Sequence, residues 1–284
     1  YYKTFMWPAS FWMRYEHIIR RAAGLGKVGD THEDPDRYEK RHAHFDIVVV
    51  GGGLSGLSAA LQAANSGQRV LLSEDQHQWG GWLRSCDDII IDDMAGHEWA
   101  DKTIAQLAEM DNVTLLPRTT CFGYGDHNFL TLAERVTDHL AEKPAHLPRM
   151  RLWKVRARRV ILATGAIERP LVFAGNDLPG VMLASAAQTY LNQYGVLAGR
   201  RGILTTNNDA AWHSAFALHK AGCLITAIVD TRTNPAPAVL KQASSLGIQT
   251  RLGAGIIAAH GRLHVARVEI ASLTKTGDAL AGER

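Results

Sequence analysis

The sequence GGGLSG at 51–56 has the spacing of a phosphate-binding turn, with glycines at its first, third and sixth positions. In such a turn the first glycine allows a tight bend after a strand, the second lets backbone approach a pyrophosphate, and the third lets a helix pack close to the sheet. The amino end of that helix presents unpaired N–H groups and the positive end of its dipole to phosphate. We therefore predict a dinucleotide-binding turn with Gly51, Gly53 and Gly56 beside the cofactor.

An acidic residue stands where such a site holds ribose. Glu74 follows the turn by about 20 residues, the usual distance to the acid in this motif. Its carboxylate can accept both ribose hydroxyls of an adenosine and would repel a 2′-phosphate. The motif thus predicts NAD or FAD rather than NADP, and by itself does not separate the first two. A glycine-rich turn that has lost its ligand is the alternative.

The elements around the turn predict a βαβ unit. A β-branched apolar strand at 46–50 precedes the glycines, a helix of small residues is expected at 57–66, and a second strand at 68–73. Further strands are predicted at 89–92, 113–117, 118–124, 158–163 and 263–270, and helices at 11–23, 100–110 and 184–194.

Two other segments are predicted to approach the cofactor. Gly81 and Trp82 follow the acid after a short loop, and a glycine pair there can bring backbone close to a ligand. Thr164 and Gly165 follow the strand at 158–163, where small residues let the chain pass near a dinucleotide. Taken alone, either segment is equally consistent with an ordinary turn.

A second βαβ pattern at 202–230 lacks the glycines. Its turn contains Asn207 and Asn208, whose side chains would crowd a pyrophosphate, and Asp209, which would repel phosphate from the helix start. We expect a degenerate Rossmann-like domain there. The predicted fold class is three-layer α/β with two Rossmann-like domains. The expected organisation is a helical lead and linker at 1–45, a first dinucleotide domain at 46–170, and a second domain at 171–284, truncated at its C-terminus.

Composition excludes several other classes. Net charge is +3, too balanced to indicate nucleic-acid binding, and no apolar run approaches the roughly 20 residues of a membrane helix. Three cysteines without a CxxC pair argue against a disulfide reductase and favour a reducing, cytoplasmic location. No histidine or cysteine cluster has metal-ligand spacing, and no residue is assigned a catalytic role.

Several long segments resemble one family, the alpha subunit of heterotetrameric sarcosine oxidase. Related subunits of opine oxidases and hydrogen cyanide synthase match the amino-terminal part less well. The segments that carry the resemblance are TFMWPASFWMRYEHIIRRAAGLGK, DPDRYEKRHAHFDIVVVGGGLSGLSAAL, EDQHQWGG, TTCFGYGDHN and ATGAIERPLVFAGNDLPGV.

The resemblance implies a two-domain fold of the FAD/NAD(P)-binding, pyridine nucleotide-disulfide oxidoreductase type, with noncovalent NAD in this chain. It further implies a partner beta subunit with FAD and FMN that oxidises sarcosine, gamma and delta subunits, and a tetrahydrofolate-binding domain absent from this chain. The products implied are glycine, hydrogen peroxide and methylenetetrahydrofolate. The chain is therefore expected to be a fragment that is inactive alone.

The resemblance also carries site residues over to this sequence. Ser55, the Glu74-Asp75-Gln76 run, Trp82 and Cys121 match positions expected near NAD. Glu74-Asp75 reverses the family's Asp-Glu order, and Trp82 replaces a smaller residue. Two alternatives remain: a self-sufficient FAD-dependent pyridine-nucleotide oxidoreductase, and a dinucleotide-stabilised scaffold without chemistry of its own.

Overall fold

The computed structural model describes residues 8–24 and 34–278, which fall into two compact units, one within 1–37 and one within 38–284. In the first unit, α1 (Trp12–Ala22) confirms the helix predicted at 11–23. The Phe11 and Tyr15 rings meet edge to face near its start, with centroids 6.2 Å apart. The residues before position 8 and the first part of the predicted linker, 27–33, lie outside the described residues.

The second unit begins with a six-stranded sheet. Its strands and helices, with the hairpin of β3 and β4, are β1 (Tyr38–Val50), α2 (Leu54–Asn65), β2 (Val70–Ser73), β3 (Ile90–Ile91), β4 (Met94–Ala95), α3 (Gly96–Ala108), β5 (Val113–Leu116), β6 (Thr119–Gly125), β7 (Phe129–Arg135) and β8 (Met150–Leu162). The strand order is β5-β2-β1-β8-β7-β6, parallel from β5 to β8 and antiparallel from β8 to β6.

This sheet has a separate apolar core on each face. Val48 and Val49, adjacent in β1, point to opposite faces, as the two-residue period of a strand requires. The helix-side core joins Val49 to Leu57 of α2, and the other core joins Val48 to Leu130 of β7. Helix α2 covers one face of the parallel strands, and β7 of the meander packs on the other face. Helices, parallel strands and β-meander therefore form three layers, and the predicted fold class is confirmed.

Strand β1 is longer than the strand predicted at 46–50, because 38–45, expected to be linker, forms its first half. This half pairs in parallel with the first half of β8, which is also longer than the predicted strand at 158–163. Ala43 and Phe45 pack on the meander-side core while alternate side chains stay exposed. The acidic residues on which the linker prediction rested include Asp34 and Asp36, which precede β1, whereas the residues from Tyr38 onward form a strand.

The rest of the unit holds a second parallel sheet. Its elements are α4 (Ala184–Tyr194), β9 (Arg201–Thr206), α5 (Ala210–Lys220), β10 (Leu224–Asp230), α6 (Pro237–Ser245), β11 (Gln249–Leu252), β12 (Ala254–Gly261) and β13 (Val265–Ser272). Strands β11-β10-β9 are parallel, and β12 and β13 form an antiparallel pair. The predicted helix at 184–194 and the second βαβ unit are confirmed. The domain boundary at 170 stays a prediction.

A buried carboxylate anchors this second sheet. Asp230 is 0% exposed at the end of β10, where it accepts hydrogen bonds from Trp212 Nε1 at 2.9 Å and from Arg232 Nη2 at 2.7 Å.

Replacing Asp230 with Asn is expected to lower the free energy of unfolding by about 3 kcal/mol, because it leaves a guanidinium and an indole without their charged acceptor. Urea unfolding measures this change. The control Asp177→Asn, on an exposed residue, should shift the free energy by no more than about 0.5 kcal/mol, and an equal effect of both variants would contradict the role of Asp230.

Candidate nucleotide-binding site

Two glycines of the turn are required by close backbone packing. Gly51 leaves β1 with φ +104°, and a Cβ there would lie 2.3 Å from the carbonyl oxygen of Ala163. A Cβ on Gly56 would lie 1.8 Å from the carbonyl oxygen of Gly51. These distances leave no room for any side chain, so both glycines are needed to seat α2 against the strand ends.

The third glycine faces open space instead. A Cβ on Gly53 would meet nothing within 4 Å, and its backbone, with φ −77°, suits any residue. Gly53 begins α2 without a side-chain cap, and the first N–H groups of a helix lack partners within it. Ser55 lies exposed in this first turn. The site therefore combines free N–H donors with clear space above Gly53, as an anionic diphosphate requires.

Glu74 is fixed directly beside the turn. Its Oε2 accepts a hydrogen bond from Gly52 N at 2.6 Å, and its Oε1 accepts one from Gln76 N at 3.0 Å. The side chain is 7% exposed, and this burial, together with the neighbouring Asp75, raises the pKa of its carboxyl. Asp75 and Gln76 are exposed. Each oxygen of Glu74 keeps a lone pair that can accept a ribose hydroxyl.

A loop crosses the turn and holds it from outside. Gly80 N donates to Gly52 O at 2.8 Å, and a Cβ on Gly81 would lie 3.2 Å from Gly53 Cα. Trp79 packs on Gly52, where a Cβ would be 2.5 Å from the ring atom Cε3. The sequence prediction found Gly81 but missed Trp79; the run QWGGW, in which an aromatic residue precedes the glycine pair, was the available signal.

The other predicted site residues lie in three different places. Thr164 lies at the turn, since Ala163 N donates to Val50 O at 2.8 Å and a Cβ on Gly51 would lie 3.2 Å from Thr164 Cα; Gly165 follows it in the chain. Trp82 is 44% exposed in the short 3-10 helix Gly81–Arg84. Cys121 lies on β6 and packs on the meander-side core, and burial raises its pKa. Its described contacts are thus on the sheet face opposite α2.

The turn of the second sheet is closed by its own side chains. Asn208 Oδ1 accepts from Ala211 N at 3.3 Å at the start of α5. Asp209 accepts from Arg232 at 2.7 Å, and this guanidinium lowers the pKa of the Asp209 carboxyl. An ionised carboxylate there repels phosphate, which supports the prediction of a Rossmann-like domain without nucleotide.

Over residues 8–24 and 34–278, no group of three or more His, Cys, Asp and Glu side chains is placed to hold a metal ion. Within the same ranges, no helix has the length and apolar character needed to span a bilayer.

Comparisons with known proteins define the class. A family model described as FAD dependent oxidoreductase matches residues 46–115, from the end of β1 into β5. The crystal structure of T. acidophilum thioredoxin reductase shares the fold with a TM-score of 0.59 at 17% identity, covering 83% of this chain and 72% of that chain. The fold is that of FAD/NAD(P)-binding Rossmann-type oxidoreductases.

Curated relatives are similar to this chain over most of its length. Sarcosine oxidase subunit alpha of Rhizobium meliloti (strain 1021) is 50% identical over 82% of this chain and 23% of the relative. The subunit of the same name from Corynebacterium sp. (strain P-1) is 41% identical over 82% of this chain and 24% of the relative. The chain matches a segment of the sarcosine oxidase alpha subunit, so the resemblance inferred from its motifs is confirmed. It spans about a quarter of the length of these relatives.

Proposed function

We propose that this chain is the NAD-binding part of the alpha subunit of a sarcosine oxidase complex. The single observation that carries the proposal is the arrangement at the α2 amino end, where Gly53 begins the helix and the Glu74 carboxylate is held beside it by Gly52 N. Open space and unpaired N–H groups at Gly53 suit a diphosphate, and the Glu74 carboxylate suits the adjoining ribose. The buried acid favours NAD over its 2′-phosphorylated form.

In this proposal the chain contributes binding rather than catalysis. A bound NAD supplies a nicotinamide capable of hydride chemistry. Gly51 and Gly56 shape the turn, Glu74 orients the ribose, and the Gly81 loop covers the site. The oxidation of sarcosine to glycine, with hydrogen peroxide and methylenetetrahydrofolate, belongs to the whole complex. Its FAD and FMN reside in the beta subunit, gamma and delta complete a cytoplasmic heterotetramer, and tetrahydrofolate binds a domain beyond this chain.

Denaturing the purified complex and identifying the released nucleotides by mass spectrometry tests the proposal. We expect NAD in a one-to-one ratio with this chain, and flavin that follows the partner subunit when the subunits are separated. Recovery of FAD and no NAD from the separated chain would contradict the assignment.

A second candidate is a FAD-dependent oxidoreductase whose flavin binds this same turn. The family model that matches residues 46–115 favours it, because FAD and NAD share the ADP half that the turn holds. It predicts a yellow separated chain whose absorbance near 450 nm is bleached by NADH. The closed turn at Asn208 and Asp209 argues against this candidate, since pyridine nucleotide would need a second working site.

A further inference from the structure

A partly buried polar seam joins the cofactor loop to the second domain. It runs between the segment that follows the Gly81–Arg84 helix and one face of α4. Asn192 Nδ2 donates to Ser85 O at 2.6 Å, Gln193 Nε2 donates to Ser85 Oγ at 2.8 Å, and Thr189 Oγ1 lies 3.1 Å from the same Oγ. Successive turns of one helix therefore converge on a single residue, Ser85.

Gln188 extends the seam one layer deeper. It is 2% exposed, its Nε2 donates to Cys86 Sγ at 3.5 Å, and its Oε1 accepts from Ser214 Oγ of α5 at 2.6 Å. Burial raises the pKa of the Cys86 thiol to about 12, so this link is uncharged at neutral pH. Both ends of the Gln188 amide are used, which fixes its orientation.

The seam acts on the loop that covers the glycine turn. Ser85 N donates to Trp82 O at 2.9 Å and ends the 3-10 helix, whose first residue, Gly81, packs against Gly53. Apolar packing at this junction would tolerate sliding, whereas directional hydrogen bonds to Ser85 specify one position of the helix. A shift of the helix would move Gly81 and Trp82 relative to the space above Gly53.

We propose that Gln188, Asn192 and Gln193 are positioning residues through which the second domain holds the Gly81–Arg84 helix over the nucleotide site and sets its affinity for NAD. The second domain has no working nucleotide turn of its own, and this gives it a role in binding at the first. The proposal rests on the proposed function for the identity of the ligand, but not for the mechanical link.

The test uses a double variant that carries both Asn192→Leu and Gln193→Leu. Its control is Gln242→Leu, which replaces an exposed amide side chain of α6. Both are studied in the complex as purified and freed of nucleotide. Hydrogen exchange of the Gly80, Leu83 and Ser85 amides is measured first, because each amide is hydrogen-bonded in the loop. NAD dissociation constants follow by calorimetry. The double variant should exchange faster at these amides and bind NAD about tenfold more weakly, whereas Gln242→Leu should match the wild type.

Unchanged exchange at the loop amides, or faster exchange with unchanged NAD affinity, would overturn the proposal. If the double variant does not fold, Ser85→Ala replaces it, since it removes only the hydroxyl that Gln193 and Thr189 contact. Failure of the wild-type protein to bind NAD would instead contradict the proposed function, and the exchange rates alone would then decide whether the second domain holds the loop.

Discussion

Gly53→Ala is expected to abolish NAD binding and leave the fold intact. The added methyl group meets nothing within 4 Å in the protein, and the extended backbone at this position is open to alanine. The same methyl group occupies the space through which a pyrophosphate must approach the α2 amino end. We expect NAD affinity to fall at least about 100-fold, which corresponds to about 2.7 kcal/mol. Calorimetric titration measures the affinity, and thermal unfolding without nucleotide measures the fold.

Gly56→Ala is the matched contrast, with the same methyl group three residues later. Its Cβ would lie 1.8 Å from Gly51 O, a backbone atom that cannot rotate away. Displacing α2 from the sheet should lower the free energy of unfolding by more than about 3 kcal/mol, as overpacking of backbone does. A Gly53→Ala protein that retains NAD would show that the space above Gly53 is not the diphosphate site. One that unfolds as readily as Gly56→Ala would show that this space is not open to a methyl group.

The glycine turn was predictable because its constraints are local. The first and last glycines contact Ala163 and each other through backbone atoms, and such contacts allow one residue type only. The acid at 74 follows from the same local geometry, because β2 returns beside β1 and ends level with the turn. Local constraints of this kind therefore allowed Gly51, Gly56 and Glu74 to be predicted at the α2 amino end, but not Trp79.

Other features depend on partners distant in sequence. The first half of β1 contains mostly polar residues, and only its pairing with β8, over one hundred residues away, makes it a strand. Trp79 is positioned by packing on Gly52, and Ser85 is positioned by hydrogen bonds from side chains of α4. Cys121 illustrates the converse: the resemblance placed it near NAD, but its described contacts lie on the meander side. Its proximity to the cofactor stays a prediction.

The second large effect concerns the pH dependence of NAD binding. Burial and the neighbouring Asp75 raise the pKa of Glu74 in the nucleotide-free protein. Because the pKa of Glu74 is higher in the folded state than in the unfolded state, its contribution to the stability of the free protein is fully present below the unfolded-state pKa. That contribution is lost as the pH rises through the folded-state pKa. The ribose hydroxyls need the ionised form as acceptor, so NAD binding expels the proton. Affinity should therefore fall as pH is lowered through the raised pKa, by up to tenfold per unit.

Two variants, Glu74→Gln and Asp75→Asn, distinguish the effect of the Glu74 carboxylate on NAD affinity from a general effect of acidic charge in this loop. Glu74→Gln should weaken NAD binding at neutral pH about 10- to 100-fold, because a charge-assisted acceptor is lost, and should flatten the pH dependence. Asp75→Asn should leave neutral affinity nearly unchanged and move the midpoint to lower pH, since it removes the negative charge that opposes ionisation of Glu74. Dissociation constants measured from pH 5 to pH 8 decide between these outcomes. Equal losses in the two variants would contradict a specific ribose contact through Glu74, because such a contact cannot be transferred to the exposed neighbour.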